Sequence, residues 1–314
     1  MNPCAIVFIS LTAIPLLACK SRDERMSKLA ESLNSAVVAP GKIGNLMVIG
    51  DTDLTGNRNV AGGIPELSTG GGNQAAPDVI LSRSQFVIAF DSNAKVPAWT
   101  SWQVNGNDLG STERSDRFQN DEILDTFLEI RERSLGLSPK DYANTCFDKG
   151  HQSPAADRSQ NRDDNDATFY MSNMAPQTAF LNRRPWKDLE SYSRTLVKDG
   201  AGKLQIFAGP ILRDGREGIG PRKDIQVPEA FFKVVAIYDN GAAKPSRYVA
   251  AIMPNLTADG LDPLAEKSAN CDDQKRGGGK GKLSVKWQDY KTSVAEVESK
   301  TGLRFPGLGS ATAL

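Results

Sequence analysis

Histidine occurs once in the 314 residues, as His151. That scarcity excludes paired-imidazole catalysis and metal cages of several histidines, so any simple imidazole base working near neutral pH must be this residue. Cysteine is nearly as rare, at four, and the spacing of Cys4, Cys19, Cys146 and Cys271 has nothing of a zinc site. Net charge is absent: 38 lysines and arginines balance 38 aspartates and glutamates. No global positive field draws in a polyanion, so nucleic-acid binding would need a local cation cluster or a bound metal. An apolar run long enough to span a bilayer is missing too. A hydrophobic share of 39% and a charged share of 24% exclude wholesale disorder and an integral membrane protein, leaving a globular chain.

The nearest approach to a long apolar run is Ala5 to Ala18, broken by Ser10, Thr12 and Pro15 and followed by the polar Lys20, Arg22, Asp23, Glu24 and Arg25. It reads as an export signal over residues 1–18, although Met1-Asn2-Pro3-Cys4 lacks the usual basic start. Leu16-Leu17-Ala18-Cys19 resembles the bacterial lipobox, which predicts lipidation of Cys19 and a membrane-anchored, periplasmic or cell-surface protein. The other reading makes Cys19 an ordinary residue beside a signal-peptidase site and the product secreted. Loss of the signal removes Cys4, and lipid occupies Cys19. Cys146 and Cys271 then remain as an even pair in an oxidising compartment. A disulfide between them is expected, with two free thiols as the alternative.

Residues 19–79 read as a lipid-anchored tether and an irregular N-terminal loop. Met26, Leu29, Leu33 and Val37 recur at helical spacing, and residues 51–78 are rich in Gly, Asn, Thr and Pro. Residues 80–314 form the catalytic domain. Gln85 to Phe90, the turn Asp91-Ser92-Asn93 and Ala98 to Val104 predict a hairpin, and Thr168 to Met171 a short buried strand. Asn182 to Lys198 predicts a helix with Pro185 in its first turn and Gly200 as its stop. Three strands follow, at Leu204 to Ala208, Phe231 to Tyr238 and Tyr248 to Met253, then a helix around Tyr290 to Lys300. Arg276 to Lys282 reads as a flexible basic loop, weak as a phosphate cradle because its glycines neither follow a strand nor open a helix. The fold class is α+β, a central, mostly antiparallel β-sheet flanked by helices.

His151 ends the run Phe147-Asp148-Lys149-Gly150-His151. This run, with DKGHQSPAADR, TFYMSNMAPQTAFLNRR and WKDLESYSRTLV, resembles the DNA/RNA non-specific endonucleases, the ββα-metal nucleases whose signature is Asp-Arg-Gly-His. The similarity extends to FVIAFDSNAKVPAWTSWQVN, STERSDRF, LSPKDYANTCFDKGH, GKLQIFAGP and WQDYKTSVAEVESKTGLRF, so that residues 80 to 305 are covered, with features of the nuclease A branch. Several motifs in one order carry this resemblance, where four residues alone would not.

The resemblance implies a ββα-metal active-site motif and roles for individual residues. His151 would be the general base toward water, and Asn182 the metal ligand through its amide oxygen. Glu190 would orient the metal's waters, Arg194 would bind a phosphate, and Arg114 would stabilise charge developing on phosphorus. Asp148 would fix the motif's turn or accept hydrogen bonds near the metal, and Asn173 and Gln177 would line the site. Magnesium, with manganese as a possible substitute, suits so small a donor set, since it keeps most of its waters. DNA and RNA would both be hydrolysed, leaving 5′-phosphates, because every group addresses the phosphodiester and none reads a base.

Lys149 departs from the family arginine, keeping charge but losing the planar fork. Two rival functions follow: an exported nucleic-acid-binding lipoprotein of the same fold with impaired catalysis, and a structural envelope lipoprotein. Bland readings also stand beside each residue. Asn182 could be a helix N-cap, Glu190 and Arg194 an i,i+4 surface pair, and Arg114 a solvated loop arginine. The sequence names no protein inhibitor and no oligomeric state.

Overall fold

The apolar runs separated by turn residues do become strands, and their order along the chain builds one dominant sheet. The computed structural model describes residues 46–68, 76–130, 136–212, 215 and 217–314. The signal, Cys19 and the helix-prone tether lie outside the described residues. In chain order the sheet strands are β1 (Met47–Gly50), β2 (Val79–Ser82), β3 (Val87–Asp91), β4 (Val96–Val104), β7 (Lys203–Leu212), β8 (Pro228–Tyr238), β9 (Arg247–Pro254) and β10 (Lys291–Thr292). They lie side by side in that same order, and Thr312–Ala313 adds a further short strand on β9. Every pairing is antiparallel except β1 with β2 and β9 with Thr312–Ala313.

All nine residues of β4 are buried, so this strand is covered on both faces and can carry Trp99 and Trp102 inward on opposite sides. Pro97, which has no N–H for a ladder, sits where the β3–β4 register shifts by one residue and where β4 is not yet paired with β7. One hydrophobic core unites the sheet with helices α1 (Glu122–Ile130), α3 (Lys187–Lys198) and α5 (Val294–Thr301). The architecture is the α+β class read from the sequence.

Residues upstream of residue 80 also contact the sheet. Met47–Gly50 pairs with Val79–Ser82, and the fully buried Asn59 donates to the Ser84 carbonyl at 2.9 Å. Arg158 and Gln205 donate in turn to Asn59, at 3.2 and 2.6 Å. Buried amides must find partners, and these come from a sheet strand, the turn after β2 and the Ala155–Arg158 turn. Residues 168–171 differ from expectation: Thr168–Tyr170 form a turn held by one bridge between Gln119 and Tyr170, not a strand.

Three two-stranded sheets stand apart from the large one among the described residues, and one of them carries the histidine. β5 (Asp148–His151) and β6 (Met174–Gln177) pair antiparallel, with His151 opposite Met174 and Asp148 opposite Gln177. Between them lie a 3-10 turn, Ala155–Arg158, and α2 (Arg162–Ala167). A disulfide joins Cys146, two residues ahead of β5, to Cys271 of α4 (Lys267–Lys275), with a Cα–Cα distance of 4.8 Å. The free-thiol alternative is thereby set aside. The loop after α4 is not a loose one. Gly278 packs against the backbone of Ala179 and Phe180, where a Cβ would have no room, and accepts from Arg184 Nε at 2.9 Å.

Candidate active site

The helix that follows β6 begins earlier than the sequence suggests. Thr178 caps it, its hydroxyl accepting from the Leu181 N–H at 3.2 Å and donating to the Leu256 carbonyl at 2.7 Å. Asn182 therefore lies within the helical run, and its reading as an N-cap fails. Pro185 sits inside this run; lacking an N–H, it cannot complete the α-helical ladder. Asn182–Trp186 forms a π-helical turn around it, and regular α3 continues from Lys187. Gly200, at φ +108°, ends the helix as expected.

β5, β6 and this helix together form a ββα unit beside one cleft of about 930 Å³. Seven of the residues singled out in the sequence line it: Arg114, Asp148, Lys149, His151, Asn182, Glu190 and Arg194. They come from three separate segments, and the fold brings them to one surface.

His151 is 7% exposed, and its Nε2 is buried without a hydrogen-bond partner. The rings of Phe118 and Phe169 lie 5.6 and 4.8 Å from the imidazole, centroid to centroid, and Trp186 Nε1 donates to the His151 carbonyl at 3.3 Å. Burial, and after it the positive charge of Arg114, holds the imidazole well below its ordinary pKa. A neutral ring with an unpaired nitrogen can accept a proton.

Asn182, a lining residue, donates through its amide nitrogen to Asp148 Oδ2 at 2.9 Å, and no hydrogen bond from the described residues takes up its amide oxygen. Asp148 is held in turn by Arg183, whose Nε and Nη2 both donate at 2.7 Å. Asp148 thus holds the Asn182 amide nitrogen. Among the described residues no cluster of three or more His, Cys, Asp or Glu side chains forms a metal cage. The donors here are one amide oxygen and the nearby Glu190 carboxylate, a set that matches a hydrated hard cation retaining most of its own waters.

Glu190 and Arg194 are not an isolated surface pair. Glu190 accepts from Lys233 Nζ at 3.3 Å, and Arg194 donates to Asp157 Oδ1 at 2.8 Å. Burial raises the Glu190 carboxyl above its ordinary pKa, against the opposing pull of Lys233 and Arg194. Arg114 is half exposed, pairs with Asp116 at 2.5 Å, and lies 4.9 Å over the Phe169 ring. Lys149 Nζ lies 4.6 Å from the centroid of Phe118.

Two expectations require correction. Asn173 and Gln177 do not line the cleft, because both are completely buried behind it. The Asn173 amide is consumed by Ser153 and Thr168 of the backbone, accepting at 3.0 Å and donating at 2.8 and 2.9 Å. Gln177 packs under Gly150, where a Cβ would meet its side chain. Sequence reasoning also missed Lys233, Asp157 and Arg183. Lys233 had a signal: a lone charge inside the apolar run Phe231 to Tyr238.

The sequence model of the DNA/RNA non-specific endonucleases matches residues 67–308. The chain belongs to that family. This endonuclease is 32% identical over 232 residues to a nuclease of Nostoc sp., covering 72% of each chain. It is 29% identical over 194 residues to mitochondrial endonuclease G of Homo sapiens, covering 59% of this chain and 63% of that one. Its fold matches that of EndoG, solved in complex with EndoGI, at a TM-score of 0.60 and 23% identity, over 84% of this chain and 97% of that chain.

Proposed function

We propose that this endonuclease hydrolyses DNA and RNA with magnesium as its cofactor and leaves 5′-phosphate ends. One observation carries the reading: the chain's sole imidazole, its Nε2 unpartnered among the described residues, shares a cleft with the Asn182 amide, the Glu190 carboxylate and five cations, Arg114, Lys149 and Arg194 among them. His151 takes a proton from water as it attacks phosphorus. Arg114 faces the negative charge that grows in the transition state. Lys149 and Arg194 hold the chain of phosphates, with the Arg194 guanidinium aligned by Asp157. Asn182 would hold magnesium through its amide oxygen and Glu190 would orient the ion's waters. When bound, the ion supplies Lewis-acid neutralisation of the phosphate and leaving oxygen. Since these groups meet only the phosphodiester, neither sugar nor base decides cleavage.

Export by way of residues 1–18 and a lipid on Cys19 belong to the same reading. They are supported by the residues at that junction and by a disulfide that forms in an oxidising compartment. Plasmid DNA and total RNA should both be degraded with magnesium or manganese and spared in EDTA. The products should take up label from a polynucleotide kinase only after phosphatase treatment. Labelling without phosphatase would contradict the 5′-phosphate assignment.

The second reading, binding without cutting, turns on Lys149. Its ammonium lies against Phe118 in the cleft, where it presents charge to a phosphate without a guanidinium fork. Lys149→Arg should retain full activity, whereas Lys149→Met should raise KM about tenfold, the worth of one charge-assisted hydrogen bond. Folded wild-type protein that retains DNA in magnesium without cleaving it would favour the second reading.

A further inference from the structure

A lysine is rarely buried, and Lys233 is buried in the middle of β8, its side chain 1% exposed. Its flanking residues, Phe231, Phe232, Val234 and Val235, are all fully buried, so the strand gains nothing in packing from a cation at this place. Burial drives its ammonium below the ordinary lysine range, and Glu190 opposes that drift. What the position offers is location: β8 passes beneath the ββα unit, and Lys233 reaches up to it.

The ammonium touches two groups there. It donates to Glu190 Oε1 at 3.3 Å, and it lies 3.9 Å over the ring of Trp186. Trp186 in turn donates to the backbone carbonyl of His151 at 3.3 Å. Beside it, Asp157 joins Trp102 Nε1 at 2.9 Å to Arg194 at 2.8 Å, and Lys233 lies 5.8 Å from the Trp102 ring. One buried cation therefore contacts the acid on the cleft wall and the indole that braces the histidine strand.

We propose that Lys233 is a positioning residue for the reaction, fixing the Glu190 carboxylate and the Trp186 ring from beneath the cleft. The inference rests on the proposed role of Glu190 in hydrolysis. Lys233 does not line the cleft and does not meet substrate. It acts through Glu190, donating to its Oε1 from β8 at 3.3 Å, with Arg194 of α3 and Asp157 of the Ala155–Arg158 turn paired alongside. A neutral side chain at 233 removes that donor.

The test uses the full catalytic chain with Lys233→Met, Lys233→Arg, Glu190→Gln and the double variant Lys233→Met/Glu190→Gln. Circular dichroism and thermal melting check each fold. Lys233→Met should lose about a hundredfold in kcat/KM at neutral pH, as when one member of a buried charge pair is removed. The loss should fall mainly on kcat. Lys233→Arg should restore most activity. In the Glu190→Gln background, Lys233→Met should cost little more, since the coupled partner is already gone. If Lys233→Met unfolds, the double variant removes both buried charges and keeps the comparison with Glu190→Gln available. Equal losses from Lys233→Met in both backgrounds, or a loss that Lys233→Arg fails to restore, would overturn the inference alone. Wild-type activity in Glu190→Gln would overturn both the inference and the reading beneath it.

Discussion

Replacing His151 with alanine is expected to lower kcat/KM for plasmid DNA and RNA alike by at least about a thousandfold, close to 4 kcal/mol of barrier. No other histidine exists in the chain to take over proton transfer. The imidazole sits between Phe118 and Phe169, whose own contact at 5.1 Å persists without it, so the local fold should survive. The wild-type pH profile offers a second reading of the same group. Burial and Arg114 depress its pKa below the ordinary value of 6.5. The base therefore stays neutral, and competent, as pH falls through neutrality, and its acid limb in kcat/KM lies below pH 6.5. The corresponding stability effect has a definite sign. A depressed folded pKa means the unfolded chain binds the proton first, so stability is full above 6.5 and declines as pH falls below it. A loss of less than tenfold in His151→Ala would remove this residue from the base's role.

Asn182→Ala should cost at least about a hundredfold, the upper end of what losing a group that merely orients a metal ligand costs. The variant should also need more magnesium to reach half-maximal rate, and direct titration with manganese should show weaker binding by the same trend. Folding is expected to hold, because Asp148 keeps both of its bonds from Arg183 when the asparagine amide is gone. An unchanged magnesium requirement would point the metal elsewhere in the cleft.

The strands were legible because their apolar runs are long and bounded by turn residues, as in Gln85 to Phe90 and Phe231 to Tyr238. Four residues with no such framing, Met47–Gly50, were not, since their partner strand lies beyond a stretch rich in glycine and asparagine. The site was legible as far as spacing reached: His151, Asn182, Glu190 and Arg194 fall on one unit, and Arg114 joins them from a distant segment. Burial was not. Asn173 and Gln177 sit close in sequence to lining residues but are completely buried, a distinction set by packing. The same limit hid Lys233, because the group it meets is 43 residues away in sequence. Thr178 was overlooked as the cap because Pro185 draws attention to a later helix start, whereas the π-helical turn lets the helix run through it.

That widened turn has a bearing on how the chain could be altered. Each residue of a regular helix rotates the next by about 100°, and the turn from Asn182 to Trp186 holds one residue more than an α-helical turn would. It works as a phase setting between the amide upstream and the acid and guanidinium downstream. Excising a single residue here would give a straighter, more regular helix, and would swing Glu190 and Arg194 off the wall they share with Asn182. Redesign aimed only at helix quality would thus select against the enzyme at the very place where the helix is least ideal.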